Sequence, residues 1–338
     1  HGSCAWRKFP EMRRGEFEII DLFRPLTRGQ RGTFSLKNDA ATLGIEAGKE
    51  LVLSADMLVS DVHFGPDDSP KDLAYKCLAV NLSDLAAMGA RPKGYLLSIC
   101  WPKPPGAEWL EGFIHGLRKT QQLYDLYLLG GDTTSSQSAP LTISVTILGD
   151  ICKGQALSRC NAGSGDLVFV SGTIGDGALG FMCLKGQCPD VAGEFREFLI
   201  SRYLRPRPRL DLGQELVKRG IATACLDVSD GLLADCKHIC EGSGLRAEIF
   251  REKVPLSEAA KYLVRSDSRL WTTILGGGDD YELLFTAPEE LRGDIQHLSE
   301  SLALDLTCIG RVADGQGLML LGPGGEELAV SSTGWRHF

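Results

Sequence analysis

Apolar residues recur at helical spacing in three stretches of the N-terminal half: Glu16 to Phe23, Leu73 to Met88, and Trp109 to Leu123, where Trp109, Phe113 and Leu117 mark one face. Between and after them lie short apolar runs of strand type at Leu51 to Leu53, Tyr95 to Ile99, Leu126 to Leu129 and Leu141 to Leu148. After Asp150 the alternation restarts. Asp166 to Val170 reads as a strand, a glycine-rich turn with Gly172, Gly175, Gly177 and Gly180 follows, and a helix comes next. Further strands are expected at Ala222 to Val228, at Tyr281 to Thr286 and near Cys308 to Val312, with helices beginning near Asp230 and Pro288. The pattern predicts a mixed chain, α/β (α+β) in class.

A length of 338 residues is about twice the common domain size, so two domains sharing a cleft are expected. The restart places their boundary within Asp150 to Gly165, giving domains 1–150 and 151–338. The stretch Arg205-Pro206-Arg207-Pro208-Arg209 is too short for a linker and is expected to open a helix, with its three arginines on a solvated surface rather than against phosphate.

Thirty-six basic against forty-four acidic residues, a net charge of -8, argue against a nucleic-acid surface, which needs clustered Lys and Arg. The same excess is compatible with phosphate ligands if bound Mg²⁺ reverses the local field. Eleven cysteines, odd in number and without a CxxC pair, indicate reduced thiols rather than a disulfide framework or zinc site; Cys236 and Cys240 share a helix face. No apolar run approaches the ~20 residues of a bilayer span, and the N-terminal residues show no signal-peptide pattern, so a cytoplasmic protein is expected.

Aspartates recur where strands or helices pass into turns: Asp39, Asp56, Asp84 in Asn81-Leu82-Ser83-Asp84, Asp132 in Gly130-Gly131-Asp132-Thr133-Thr134, and Asp227 and Asp230 in Asp227-Val228-Ser229-Asp230-Gly231. Mg²⁺ prefers hard oxygens and takes one or two carboxylates plus substrate phosphates, so dispersed single aspartates can assemble a cation cluster around a triphosphate. Taken singly, each fits a turn or helix cap equally well. Asp84 differs, because a carboxylate inside an apolar helix has little structural reason to face inward. The glycine segments at Gly130-Gly131 and Gly172 to Gly180 could approach an anion, yet neither forms a Walker A or GxGxxG signature.

Read together, Asn81-Leu82-Ser83-Asp84-Leu85-Ala86-Ala87-Met88-Gly89-Ala90, Gly130-Gly131-Asp132-Thr133-Thr134, Asp227-Val228-Ser229-Asp230-Gly231-Leu232 and Gly276-Gly277-Gly278-Asp279-Asp280-Tyr281-Glu282-Leu283 resemble the thiamine-monophosphate kinase family of the aminoimidazole-ribonucleotide synthetase superfamily. The resemblance runs from Gly15-Glu16-Phe17 to Gly334-Trp335-Arg336-His337-Phe338. It implies an N-terminal α/β domain whose sheet pairs across a homodimer into a barrel, a C-terminal α/β domain, and ATP-dependent conversion of thiamine monophosphate to thiamine diphosphate with several Mg²⁺ ions. It further implies metal ligands at Asp39, Asp56, Asp84, Asp132, Asp227 and Asp230, with Asp84 and Asp230 catalytic. Gly131, Asp132, Arg159 and Ser229 would contact ATP or its metals, and His63, Asp279 and Trp335 the substrate, the indole stacking on a cationic ring.

The chain departs from the family pattern at Asn38, where Gly-Asp-Asp is common before Ala40, at Ala55, where Thr-Asp is common, and at Asp279, where Glu is usual. Two oxygen ligands are thereby lost and one carboxylate is shortened by a methylene. Selenophosphate synthetase and the hydrogenase-maturation dehydratase share the superfamily but carry reactive cysteines in places where this chain has none. A nucleotide-binding protein without catalysis is the alternative that Asn38 and Ala55 motivate.

Overall fold

The computed structural model describes residues 15–329 and Gly334, with contacts dividing the chain into two compact units. One holds the chain up to Gly44, Ala55–Leu78 and Pro92–Leu148; the other holds Ile45–Ser54, Ala79–Arg91 and the chain from Gly149 onward.

The first stretch of chain runs α1 (Glu16–Phe23), β1 (Lys49–Val59), α2 (Pro70–Met88), β2 (Arg91–Trp101), α3 (Ala107–Tyr124), β3 (Tyr127–Ser135) and β4 (Thr142–Cys152). The four strands form one sheet in the order β1-β4-β2-β3. Strands β2 and β3 are parallel, which demands a crossover, and α3 supplies it. The apolar face of α3 is as its periodicity predicts: Leu110, Phe113 and Leu117 are fully buried, and Trp109 stacks on Phe113 at 5.1 Å. Both predicted aspartate turns differ here, because Asp56 lies within β1 and Asp132 within β3, opposite Ser98 of β2. Gly131 opposes Leu97, and a Cβ there would lie 1.8 Å from the Leu97 carbonyl oxygen, so close strand packing alone requires glycine.

The second stretch runs β5 (Leu167–Ser171), α4 (Asp176–Leu184), α5 (Gly193–Leu204), α6 (Leu210–Arg219), β6 (Ala224–Asp227), α7 (Leu232–Ser243) and β7 (Arg246–Phe250). It continues through α8 (Glu258–Ser266), α9 (Leu270–Gly276), β8 (Leu283–Ala287), α10 (Arg292–Leu302), β9 (Leu306–Ala313) and β10 (Gly317–Leu321). These strands build a six-stranded sheet in the order β10-β7-β9-β5-β8-β6. Only β10 and β7 pair in parallel; the other neighbours are antiparallel. Strands β5, β8 and β6 are buried at every residue, which is why they read as mainly apolar runs rather than as alternation. Phe169 and Phe285, partners in the β5–β8 register, stack at 5.4 Å.

Arg209 overturns the solvated reading of the arginine-proline stretch. Arg205 and Arg207 are exposed, but Arg209 turns inward at the N-cap of α6 and forks onto the fully buried Glu282, its Nε 2.6 Å from Oε2. Arg202 of α5 donates to the same carboxylate at 2.8 Å and Ser171 at 2.6 Å. Two guanidinium groups and a hydroxyl compensate one desolvated carboxylate, and removing its charge would leave the buried Arg202 and the part-buried Arg209 without their counter-ion. Replacing Glu282 by Gln is expected to cost about 3–5 kcal/mol, read as a lower urea midpoint; an unchanged midpoint would show that the pairing contributes nothing net.

Candidate functional site

The six-stranded sheet ends β6 at Asp227, and the chain then turns through Val228-Ser229-Asp230-Gly231 into α7. Asp235, one turn into that helix and 4% exposed, folds back so that its Oδ2 accepts from the N–H groups of Ser229, Asp230 and Gly231 at 3.0, 3.1 and 3.1 Å. The helix thus holds the amides of the turn that leads into it through one of its own side chains. Burial pushes the Asp235 carboxyl up to about 8, with the negative charges of Asp227 and Asp230 adding to the rise and the amide bonds opposing it.

A second turn leans on the first. Asp279 donates its N–H to the Ser229 carbonyl at 2.9 Å, Tyr281 donates to Val228 at 2.8 Å, and Val228 donates to Glu282 at 2.8 Å. Asp279 and Tyr281 both sit in left-handed backbone, at φ 63 and 52. Such strain in non-glycine residues persists only where the surroundings over-determine it. Gly278 is required for the approach, since a Cβ there would lie 2.3 Å from the Ser229 carbonyl oxygen. Between the two strained residues, Asp280 points inward and accepts from Gly175 and Gly177 at 2.7 and 3.0 Å, tying this turn to the start of α4.

Asp84 is half-buried on α2 and accepts a short hydrogen bond from the Ser54 hydroxyl of β1. Burial raises its carboxyl above the usual range, while the Ser54 hydrogen bond and the charge of Arg159 oppose the rise. Its neighbour Ser83 is fully buried and donates to Asp227 Oδ2 at 2.6 Å. The second unit therefore brings Asp84 together with Arg159, and Asp227 with Ser229, Asp230 and Asp279. One ligand atom each of Asp230, Asp235 and His238 lie within 4.8 Å of one another.

The first unit carries Asp39, Asp56, His63, Gly131 and Asp132. Asp39 is exposed in a bend, and Asp132 is exposed on β3. Asp56 stands on β1 and Asp132 on β3, the two edge strands of the four-stranded sheet. The Nδ1 atom of His63 accepts from the Val59 N–H at 3.1 Å, which in the neutral ring puts the proton on Nε2. Trp335 lies outside the described residues; Gly334 beside it packs so that a Cβ would lie 2.9 Å from the Asp230 carbonyl oxygen.

Side chains of this region to which the sequence assigned no role include Ser54, Ser83, Asp235 and His238. Ser83 stands next to Asp84 in the quoted motif, and Asp235 follows Asp230 by just over one helical turn, yet nothing in spacing shows what either touches. The ten cysteines among the described residues are all free, and no helix there is long and apolar enough to cross a membrane.

Comparison with known proteins adds to this geometry. Residues 37–151 match the family model of the AIR synthase related protein, N-terminal domain, and residues 163–321 that of its C-terminal domain. The thiamine-monophosphate kinase of Escherichia coli strain K12 is 40% identical over 328 residues, spanning 96% of this chain and 98% of the relative. The crystal structure of thiamine-monophosphate kinase from Stenotrophomonas maltophilia K279a superposes with a TM-score of 0.81 at 42% identity, covering 93% of this chain and 98% of that one. The structure described as AaThiL complexed with AMPPCP and TMP superposes with a TM-score of 0.76 at 33% identity, covering 98% and 99%.

Asp280 supplies a pH test of the tie between the second turn and the start of α4. Burial outweighs its two amide hydrogen bonds and raises its carboxyl from 3.8 to about 8. Between those values the native state keeps a proton that the unfolded chain has released, so this group's contribution is full at the acid end and is lost as pH rises toward 8. Wild type should therefore lose stability between pH 5 and 8 relative to an Asp280→Asn variant, which stays neutral throughout. Parallel urea midpoints for the two proteins across that range would contradict this assignment.

Proposed function

The chain belongs to the thiamine-monophosphate kinases of the AIR synthase related family, and we propose that it transfers the γ-phosphoryl group of ATP to thiamine monophosphate, giving ADP and thiamine diphosphate. The observation that carries the reading is the Asp227 to Gly231 turn, where Asp227 and Asp230 lie beside Asp235, whose carboxylate is held by three amides rather than by arginines. That donor set consists of hard carboxylate oxygens and fits Mg²⁺. Asp84, Asp227 and Asp230 would hold it in the second unit, and Asp39, Asp56 and Asp132 in the first, as several separate ions. When bound, Mg²⁺ neutralises phosphate oxygens that would otherwise repel an incoming anion.

The chain's own residues then have positional work to do. Arg159 and the Ser229 hydroxyl contact the nucleotide with Gly131 and Asp132, while His63, Asp279 and Trp335 orient thiamine monophosphate, His63 through its Nε2–H. The attacking phosphate oxygen is already largely ionised near neutral pH, so no strong general base is required, and in-line positioning supplies most of the rate. Residues 1–150 serve as the nucleotide-binding and dimerisation domain, and 151–338 as the C-terminal α/β domain. A homodimer is supported by the exposed apolar side chains Leu53 and Met57 of edge strand β1 and Leu96 of β2, a sheet surface of the kind that a second copy covers. The enzyme works in the cytoplasm.

Incubation of the purified chain with thiamine monophosphate, ATP and Mg²⁺ should release ADP and thiamine diphosphate, and chelation should stop the reaction. Binding of nucleotide without turnover would favour the non-catalytic alternative that Asn38 and Ala55 raise. Asp84→Asn and Asp230→Asn are expected to lower kcat by roughly 10²–10³ with native circular dichroism. Trp335→Ala should raise the KM for thiamine monophosphate more than that for ATP; the reverse order would refute ring stacking.

A further inference from the structure

The hydroxyl of Ser83 is fully buried on α2 and donates to Asp227 Oδ2 at 2.6 Å, across 144 positions of sequence. Asp227 closes β6, where its main chain pairs with Leu283 of β8, and the residue as a whole is 8% exposed. With the backbone held by the sheet and the following three amides held by Asp235, the freedom that remains to this carboxylate is rotation of its own side chain. The Ser83 bond restrains that rotation.

We infer that Ser83 is a positioning residue that sets the orientation of the Asp227 carboxylate for cation binding. The inference rests on the reading of Asp227 as a metal ligand. Ser83 precedes Asp84 on one rigid helix, so α2 places one carboxylate directly and a second through a hydrogen bond. Groups that orient a ligating carboxylate typically govern metal affinity by 10–100-fold without touching the metal. The serine also supplies a donor to a buried anion, a bond stronger than a neutral one.

The test uses the full chain and Mn²⁺, a paramagnetic stand-in for Mg²⁺, with free Mn²⁺ followed by electron paramagnetic resonance in the absence of nucleotide. Asp227→Asn first identifies the class of Mn²⁺ sites that depends on this carboxylate. Ser83→Ala is expected to weaken that class about tenfold or more and to raise the Mg²⁺ concentration for half-maximal activity in parallel, with kcat at saturating Mg²⁺ changed far less. Ser83→Thr, which keeps the hydroxyl, should recover most of the affinity. Thr286→Val removes a different buried hydroxyl from β8 of the same unit and should leave Mn²⁺ affinity unchanged, separating orientation from general loss of stability. If Ser83→Ala does not fold, Ser83→Cys carries the comparison, its weaker thiol donor giving a smaller loss in the same direction. Wild-type Mn²⁺ affinity in folded Ser83→Ala, or in Ser83→Cys where that stands in, overturns the role of Ser83 alone. Wild-type affinity in Asp227→Asn removes the metal-ligand reading beneath it.

Discussion

Main-chain hydrogen bonds between two turns, Asp227 to Gly231 and Gly278 to Glu282, hold the rest of the site in register. They are possible only because Gly278 has no side chain, and they force Asp279 and Tyr281 into left-handed backbone. The strain is sustained from both sides. Asp235 holds the amides of the first turn, and Asp280 ties the second to the glycine-rich start of α4. Ligand groups mounted on such turns are pre-organised by the fold rather than recruited by the ligand.

Buried acids in the second unit are handled in two ways, and the contrast separates scaffold from site. Glu282 is compensated by Arg202, Arg209 and Ser171, a closed arrangement whose charge is satisfied within the fold. Asp235 instead receives amides and has Asp227 and Asp230 as charged neighbours, so burial and repulsion both press on it. Under the proposed function, an incoming cation would relieve the repulsion that the fold leaves in place there.

Much of this was legible from residue order. The bounds of α1 and the buried face of α3 follow from apolar periodicity, and the mainly apolar runs of β5 and β8 follow from burial on both faces. The aspartate motifs and their small neighbours were legible as motifs. Their local conformations were less so: Gly130-Gly131-Asp132 suggests a turn by composition, yet continues β3, because pairing with β2 outweighs local propensity. Helices α5, α8 and α9 and strands β7 and β10 went unread, being short segments whose apolar positions acquire meaning only against the sheet they cover or join.

The amino-acid sequence by itself determined the chemistry available: hard oxygen donors in excess, glycine beside them, a net charge of -8, and a motif order specific enough to point to a kinase family. Only the tertiary structure decided which of those groups act on one another. Ser83 reaches Asp227, Asp235 reaches three amides of the preceding turn, and Arg209 leaves its exposed neighbours to neutralise Glu282. The reason is physical. Residue type and spacing set what a side chain can donate or accept, whereas a hydrogen bond of 2.6 Å between positions 144 apart depends on how a helix is laid against a sheet, which no local pattern encodes.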